Sequence, residues 1–266
     1  MNKQVALVFV LTFIIHLIST LTYAVRIAGI RTRRIAVSFA LFNVLALLSR
    51  TSNTFQAPLL SKHVEQNILR GTMGHAESDF RWLLMAATLA TIAGGLLIPT
   101  FQRIFSRAIE VFSVHRSVPR LLFQGFSFTG IKHVKNALSI PAKEHFKQIS
   151  LSPATARIIL YNVVATALIT VGVFASLYAG YLNPQLRVTA NNMSPIINGL
   201  STILLFPFID PYLSIMSDDV LEGRMTDPAF RRQVTFFAIS RLGGTLLAQV
   251  IFIPAARFVA LVANYV

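Results

Sequence analysis

The chain reads as an all-α integral membrane protein with six transmembrane helices. Hydrophobic residues make up 54% of its 266 positions and charged residues 13%, about half the charged share of a soluble domain. Mean hydropathy is +0.63. Mostly apolar runs of about 20 residues, enough to span roughly 30 Å of hydrocarbon, recur six times. The 24 Lys and Arg against 10 Asp and Glu are divided among the gaps between these runs, which argues against a nucleic-acid-binding domain and makes anionic membrane lipids the expected partner. The absence of cysteine removes disulfides, thiolate metal sites and cysteine nucleophiles.

Span one covers about 5 to 25. Lys3 ahead of VALVFVLTFIIHLI, with Thr22-Tyr23-Ala24 behind, has the outline of a cleavable signal, but Arg26 follows at once, so the segment is kept as a span. Spans two (36–58) and five (193–215) are interrupted, by Arg50 and Asn53 in one and by Pro195, Pro207, Asp210 and Pro211 in the other. Such interruptions suit a protein-lined cavity better than lipid. Spans three (82–101), four (158–182) and six (234–256) complete the set.

Sixteen Lys and Arg follow spans one, three and five, against five on the alternate side, which predicts that both termini lie outside. The long basic connection after span three carries Phe101, Ile104, Phe105, Ile109 and Phe112 at helical spacing, with Arg103 and Arg107 on another face. It reads either as interfacial helices on anionic headgroups or as helices capping the bundle.

The chain also repeats itself. FQAPLLS at 55–61 returns as FIDPYLS at 208–214, Phe80-Arg81 as Phe230-Arg231, Gly94-Gly95 as Gly243-Gly244, and Ile98-Pro99 as Ile253-Pro254, at offsets of 149 to 155 residues and in one order. Three spans per unit force the two copies into opposite senses, which predicts an inverted three-plus-three repeat. Its units are 1–101 and 158–266, joined by the basic segment 102–157. The proline phrases then mark equivalent ends of spans two and five, where proline stops or bends each helix.

An ionisable group inside a span costs at least about 2.5 to 3.5 kcal/mol, so each is a functional candidate. Arg50 sits in SRTSNTFQ, where Asn53 and Gln56 complete a polar patch. Its planar fork suits a diphosphate or carboxylate, unless it snorkels to the outer surface. Arg241, beside Ser240 and Gly243-Gly244, falls nearer the cytoplasmic side, either free for a ligand or in an ion pair with Asp210. Asp210 and His16 are the titratable candidates for coupling or gating. His16 also reads as a hydrogen-bonded neutral imidazole between helices. His75, Glu77 and Asp79 in HAESD have metal-ligand types but alternate as a solvated loop does. No Walker loop, H-E-x-x-H or G-x-S-x-G motif occurs, and no cofactor, metal or enzymatic chemistry is expected.

TYAVRIAGIRTRRIA followed by SRTSNTFQAPLLS resembles the Amj family of bacterial lipid II flippases, the alternate to MurJ. That resemblance runs along the whole chain and implies a plasma-membrane protein. Its expected task is moving lipid II, an undecaprenyl-diphosphate-linked peptidoglycan precursor, from the inner to the outer leaflet. It supplies no site residues. On the physical reading, Arg241 receives the diphosphate on the inner side and Arg50 releases it on the outer side, with Asn53 and Gln56 lining the route. The alternatives are a transporter of another polyprenyl-diphosphate glycan or anionic solute, a membrane-embedded envelope-lipid enzyme, and a scaffold acting through the basic segment.

Overall fold

A computed structural model describes residues 3–115 and 153–266. Among these residues the long elements are all helical, and six stretches are long and apolar enough to cross a membrane: Lys3–Arg31, Ile35–Arg70, Ala76–Phe112, Thr155–Leu182, Pro184–Leu221 and Asp227–Ala263. We label the helices α1 (Lys3–Arg31), α2 (Ile35–Arg70), α3 (Ala76–His115), α4 (Pro153–Leu182), α5 (Arg187–Asn191), α6 (Ser194–Leu204), α7 (Asp210–Leu221) and α8 (Asp227–Ala263).

Several helices outrun their apolar cores. Pro58, expected to stop or bend span two, does not stop it: α2 continues through it to Arg70. A proline inside a helix costs about 3 kcal/mol. The turns beyond it nevertheless bury Leu60 and Val64 in a cluster with Val5, Val8, Phe80 and Leu84, so tertiary packing outweighs the local penalty. Gly71, at φ 66° in the left-handed region, then closes the helix. Its own N–H and that of Thr72 return to the Ile68 and Asn67 carbonyls at 3.2 and 3.0 Å.

Likewise α3 does not stop at residue 101. Phe105 and Ile109, expected on helices that either lie on headgroups or cap the bundle, lie on its continuation and are buried against Leu21, Ala24, Val25 and Ala28 of α1. The remainder of the basic connection, with Arg116, Arg120, Lys132, Lys135, Lys143 and Lys147, lies outside the described residues.

Span five is the irregular one. After the short α5, α6 passes into one π-helical turn, Leu205–Ile209, and then into α7. Pro207 and Pro211 both lack an N–H. The Asp210 N–H reaches back five residues to the Leu205 carbonyl, and the wider turn accommodates the two prolines.

The helices associate as two triplets, α1 with α2 and α3, and α4 with α6 and α8. Each has a close glycine crossing: a Cβ on Gly94 would stand 2.7 Å from Thr20 Cβ, and one on Gly244 2.5 Å from Thr166 Cβ. Without a hydrophobic drive between helices in lipid, such small-residue contacts hold them together. At the bundle end carrying Lys3 and Ala263, Phe80 packs with Phe174, Tyr178, Tyr181 and Phe252. At the opposite end, Phe230 anchors a second cluster with Tyr23, Ile27, Leu213 and Met216.

Candidate functional site

Where α1, α4 and α8 meet, the interior becomes polar. The Asn162 side-chain amide donates to Ser240 Oγ at 2.7 Å, to the Phe237 carbonyl at 3.2 Å and to the Tyr23 hydroxyl at 3.4 Å. The same hydroxyl faces the Arg241 guanidinium. His16 is buried at 7% exposure and lies within electrostatic reach of Arg241. Both His16 Nδ1 and Arg241 Nε are buried without a hydrogen-bond partner. Unsatisfied polar atoms cost free energy in a low-dielectric interior, and these two come from α1 and α8, one from each triplet.

Asp210 does not pair with Arg241. Its Oδ1 lies 3.0 Å from Arg26 Nη2, so the ion pair joins α1 to the π-helical break in span five. Arg26 is 13% exposed and Asp210 44% by side chain. Phe39 and Phe42 of α2 face the guanidinium, their ring centroids 5.9 and 6.0 Å away, within cation–π range. Beside it opens a small recess, whose lining includes Arg26, Ser38, Phe39, Phe42 and Ser217. Sequence reasoning missed Arg26 because it was counted with the loop charges after span one. In fact α1 continues to Arg31, which keeps Arg26 on the helix, one turn beyond Tyr23.

Arg50 lies about 22 Å along α2 from Ile35 and about 30 Å from Arg70, at 1.5 Å per residue. The antiparallel contacts of α1 with α2, Gln56 on Thr12 and Ser38 on Gly29, set Arg50 level with the middle of α1. Arg50 and Asn53 are exposed, and the Arg50 side chain has no hydrogen-bond or ion-pair partner among the described residues. Gln56 is different: it is buried at 4%, and its Nε2 donates to Thr12 Oγ1 at 2.9 Å, tying α2 to α1 instead of facing a cleft.

A second polar cluster closes the Lys3 end of the bundle. His63 Nε2 lies 3.1 Å from Asp79 Oδ2 and 3.1 Å from Asn67 Nδ2, which also donates to the Tyr181 hydroxyl at 3.1 Å. Asn191 bonds Ser61, and Arg81 and Gln249 exchange side-chain-to-carbonyl hydrogen bonds at 3.1 Å. These contacts bridge the triplets. They also divide the HAESD residues, since Asp79 turns to His63 while Glu77 pairs with Arg81 at 2.8 Å. Among the described residues, no group of three or more His, Asp and Glu is placed to hold a metal ion. His63 and Asn67 escaped sequence reading because span two was ended at Pro58. Asn162, a lone amide within IILYNVVA, was legible but passed over.

Comparison with known proteins completes the description. The family model described as "Amj: Alternate to MurJ" matches residues 11–263. A Bacillus subtilis (strain 168) protein, "Lipid II flippase Amj", is 36% identical over 260 residues, covering 97% of this chain and 96% of its own length. No solved structure matches the chain.

Proposed function

The chain belongs to the Amj family, alternate to MurJ, and from that membership we propose that it is a lipid II flippase. It is a multi-pass plasma-membrane transporter serving peptidoglycan synthesis, and not an enzyme. The observation that carries this is the match to a lipid II flippase along nearly the whole of both chains. The six apolar helices meet the physical requirement: the polyprenyl tail stays in lipid while the diphosphate head crosses about 30 Å of hydrocarbon.

The two triplets act as an inverted repeat, 1–101 and 158–266, with both termini outside and the basic segment 102–157 in the cytoplasm against anionic lipids. The repeat gains support from a matched start to spans three and six. Glu77, Phe80 and Arg81 stand 150 residues before Asp227, Phe230 and Arg231. In each copy the arginine pairs with the acid one turn back, at 2.8 and 3.8 Å, and the phenylalanine is buried at 0% and 1%. The glycine crossings of Gly94 on Thr20 and Gly244 on Thr166 are a further matched pair. Orientation rests on the charge bias of the connections.

Transport is rocking of one triplet against the other, with arginine compensating the diphosphate charge. Arg241, whose buried Nε lacks a partner, is the interior group for that role, and Arg50, unpaired at mid-depth, the outer one. His16 and Asp210 are the coupling or gating residues. An inside-negative potential favours outward movement of each anionic charge by about 2.3 kcal/mol per 100 mV. The test uses cells depleted of their own flippase, with an external enzyme that cleaves the lipid II diphosphate. Head-group release on expression of this chain supports the function, and no release from properly inserted protein refutes it.

A further inference from the structure

We propose that Asp210 occupies the place of a diphosphate on Arg26, so that the recess beside this pair receives the lipid-linked diphosphate and the ligand displaces Asp210. The proposal rests on the flippase reading and adds Arg26 to Arg241 and Arg50 as a third cationic contact for the head group. A guanidinium carries five N–H donors. Among the described residues Arg26 makes one hydrogen bond, the 3.0 Å contact of Nη2 with Asp210 Oδ1, although only 13% of its side chain is exposed. A structural ion pair at such depth would ordinarily be bidentate or further hydrogen-bonded. Here the remaining donors are left to two aromatic rings and an open recess lined in part by Ser38 and Ser217.

Asp210 is the exchangeable partner. It is 44% exposed and sits directly after the π-helical turn, before Pro211, where backbone hydrogen bonding is already interrupted. Replacing its single carboxylate contact by a diphosphate gives Arg26 more acceptors and frees the span-five break from α1. The recess also leads somewhere. Phe39 and Phe42 lie eleven residues before Arg50 and Asn53 respectively, which places all four on one face of α2, the later pair about 16 Å farther along. A head group released from Arg26 therefore has Arg50 next on the same face.

The experiment measures binding of farnesyl diphosphate, a short prenyl diphosphate, to the purified full-length protein in nanodiscs. An attraction by a displaceable carboxylate has an unusual sign: Asp210→Asn removes the competitor and should tighten binding about tenfold, whereas Arg26→Gln should weaken it about tenfold or more. An unchanged or weakened Asp210→Asn overturns the proposal, because a merely structural pair gives that result. In an otherwise cysteine-free chain, Ser217→Cys should be shielded from maleimide by farnesyl diphosphate. Lack of shielding overturns the proposal even where Arg26→Gln fails to fold. Excess phosphatidylglycerol should not compete. Equal competition makes this an ordinary phospholipid site and overturns its assignment to the cargo. Wild type that flips lipid II while Asp210→Asn binds no tighter keeps the function and loses the displacement. Wild type that neither binds nor flips loses both.

Discussion

Gly244→Ala tests how the second triplet is held together. A Cβ there would meet Thr166 Cβ at 2.5 Å, Val163 O at 2.6 Å and Thr166 Cγ2 at 2.9 Å. Ordinary contact begins at 3.4 Å, so α8 must withdraw from the α4 backbone by about 0.8 Å. Overpacking of this kind costs about 1 to 3 kcal/mol. The neighbouring Gly243 supplies the control: its Cβ would meet only Val163 Cγ2, at 3.7 Å. Alanine there carries the helix-propensity change without the clash. The expected difference in unfolding free energy between Gly244→Ala and Gly243→Ala, read from reversible unfolding in mixed micelles, is therefore about 1 to 3 kcal/mol. The first triplet extends the test. Every close contact of Gly94 is a Thr20 side-chain atom, so Thr20→Gly should relieve Gly94→Ala in a double-mutant cycle. Thr166→Gly should only partly relieve Gly244→Ala, since Val163 O remains. Equal stability of Gly244→Ala and Gly243→Ala would refute the close crossing.

Asn162→Leu removes the amide joining Tyr23, Phe237 and Ser240. At about 0.6 kcal/mol per interhelical hydrogen bond it should lower stability by about 1 to 2 kcal/mol, checked by the same unfolding assay. Arg50→Ala should reduce lipid II release at least about tenfold, the loss of one charged hydrogen-bonding partner, at unchanged membrane abundance, and Arg50→Lys should retain part of it. Single thiols report orientation: in intact cells Thr72→Cys and Asn264→Cys should react with an impermeant maleimide, and Thr32→Cys and Glu222→Cys only after permeabilisation.

The six spans were legible because roughly 20 apolar residues in lipid leave the backbone no alternative to helix. Their ends were not. Pro58 argued for a stop on local grounds, yet the buried Leu60 and Val64 carry the helix onward, and with it His63 and Asn67. Phe105 and Ile109 had the right period, but period alone does not say whether an apolar stripe meets headgroups or another helix. Asp210 was singled out as a charge within span five. Of the two readings for Arg241, the ion pair with Asp210 does not hold, because Asp210 meets Arg26, and the choice between the two arginines is a matter of helix rotation that the sequence does not show. Gln56 was read with Arg50 as one patch, although α2 turns Gln56 towards Thr12 and leaves Arg50 exposed.

The most direct measurement of the central claim uses purified protein in proteoliposomes carrying fluorescent lipid II in both leaflets, an inside-negative potential and a membrane-impermeant reductant outside. Flipping brings inner-leaflet lipid II to the reductant, so nearly all the fluorescence should be lost with wild type and only the outer-leaflet share with protein-free vesicles. Wild-type protein that is folded and inserted, yet leaves the inner-leaflet fluorescence protected, would contradict the account.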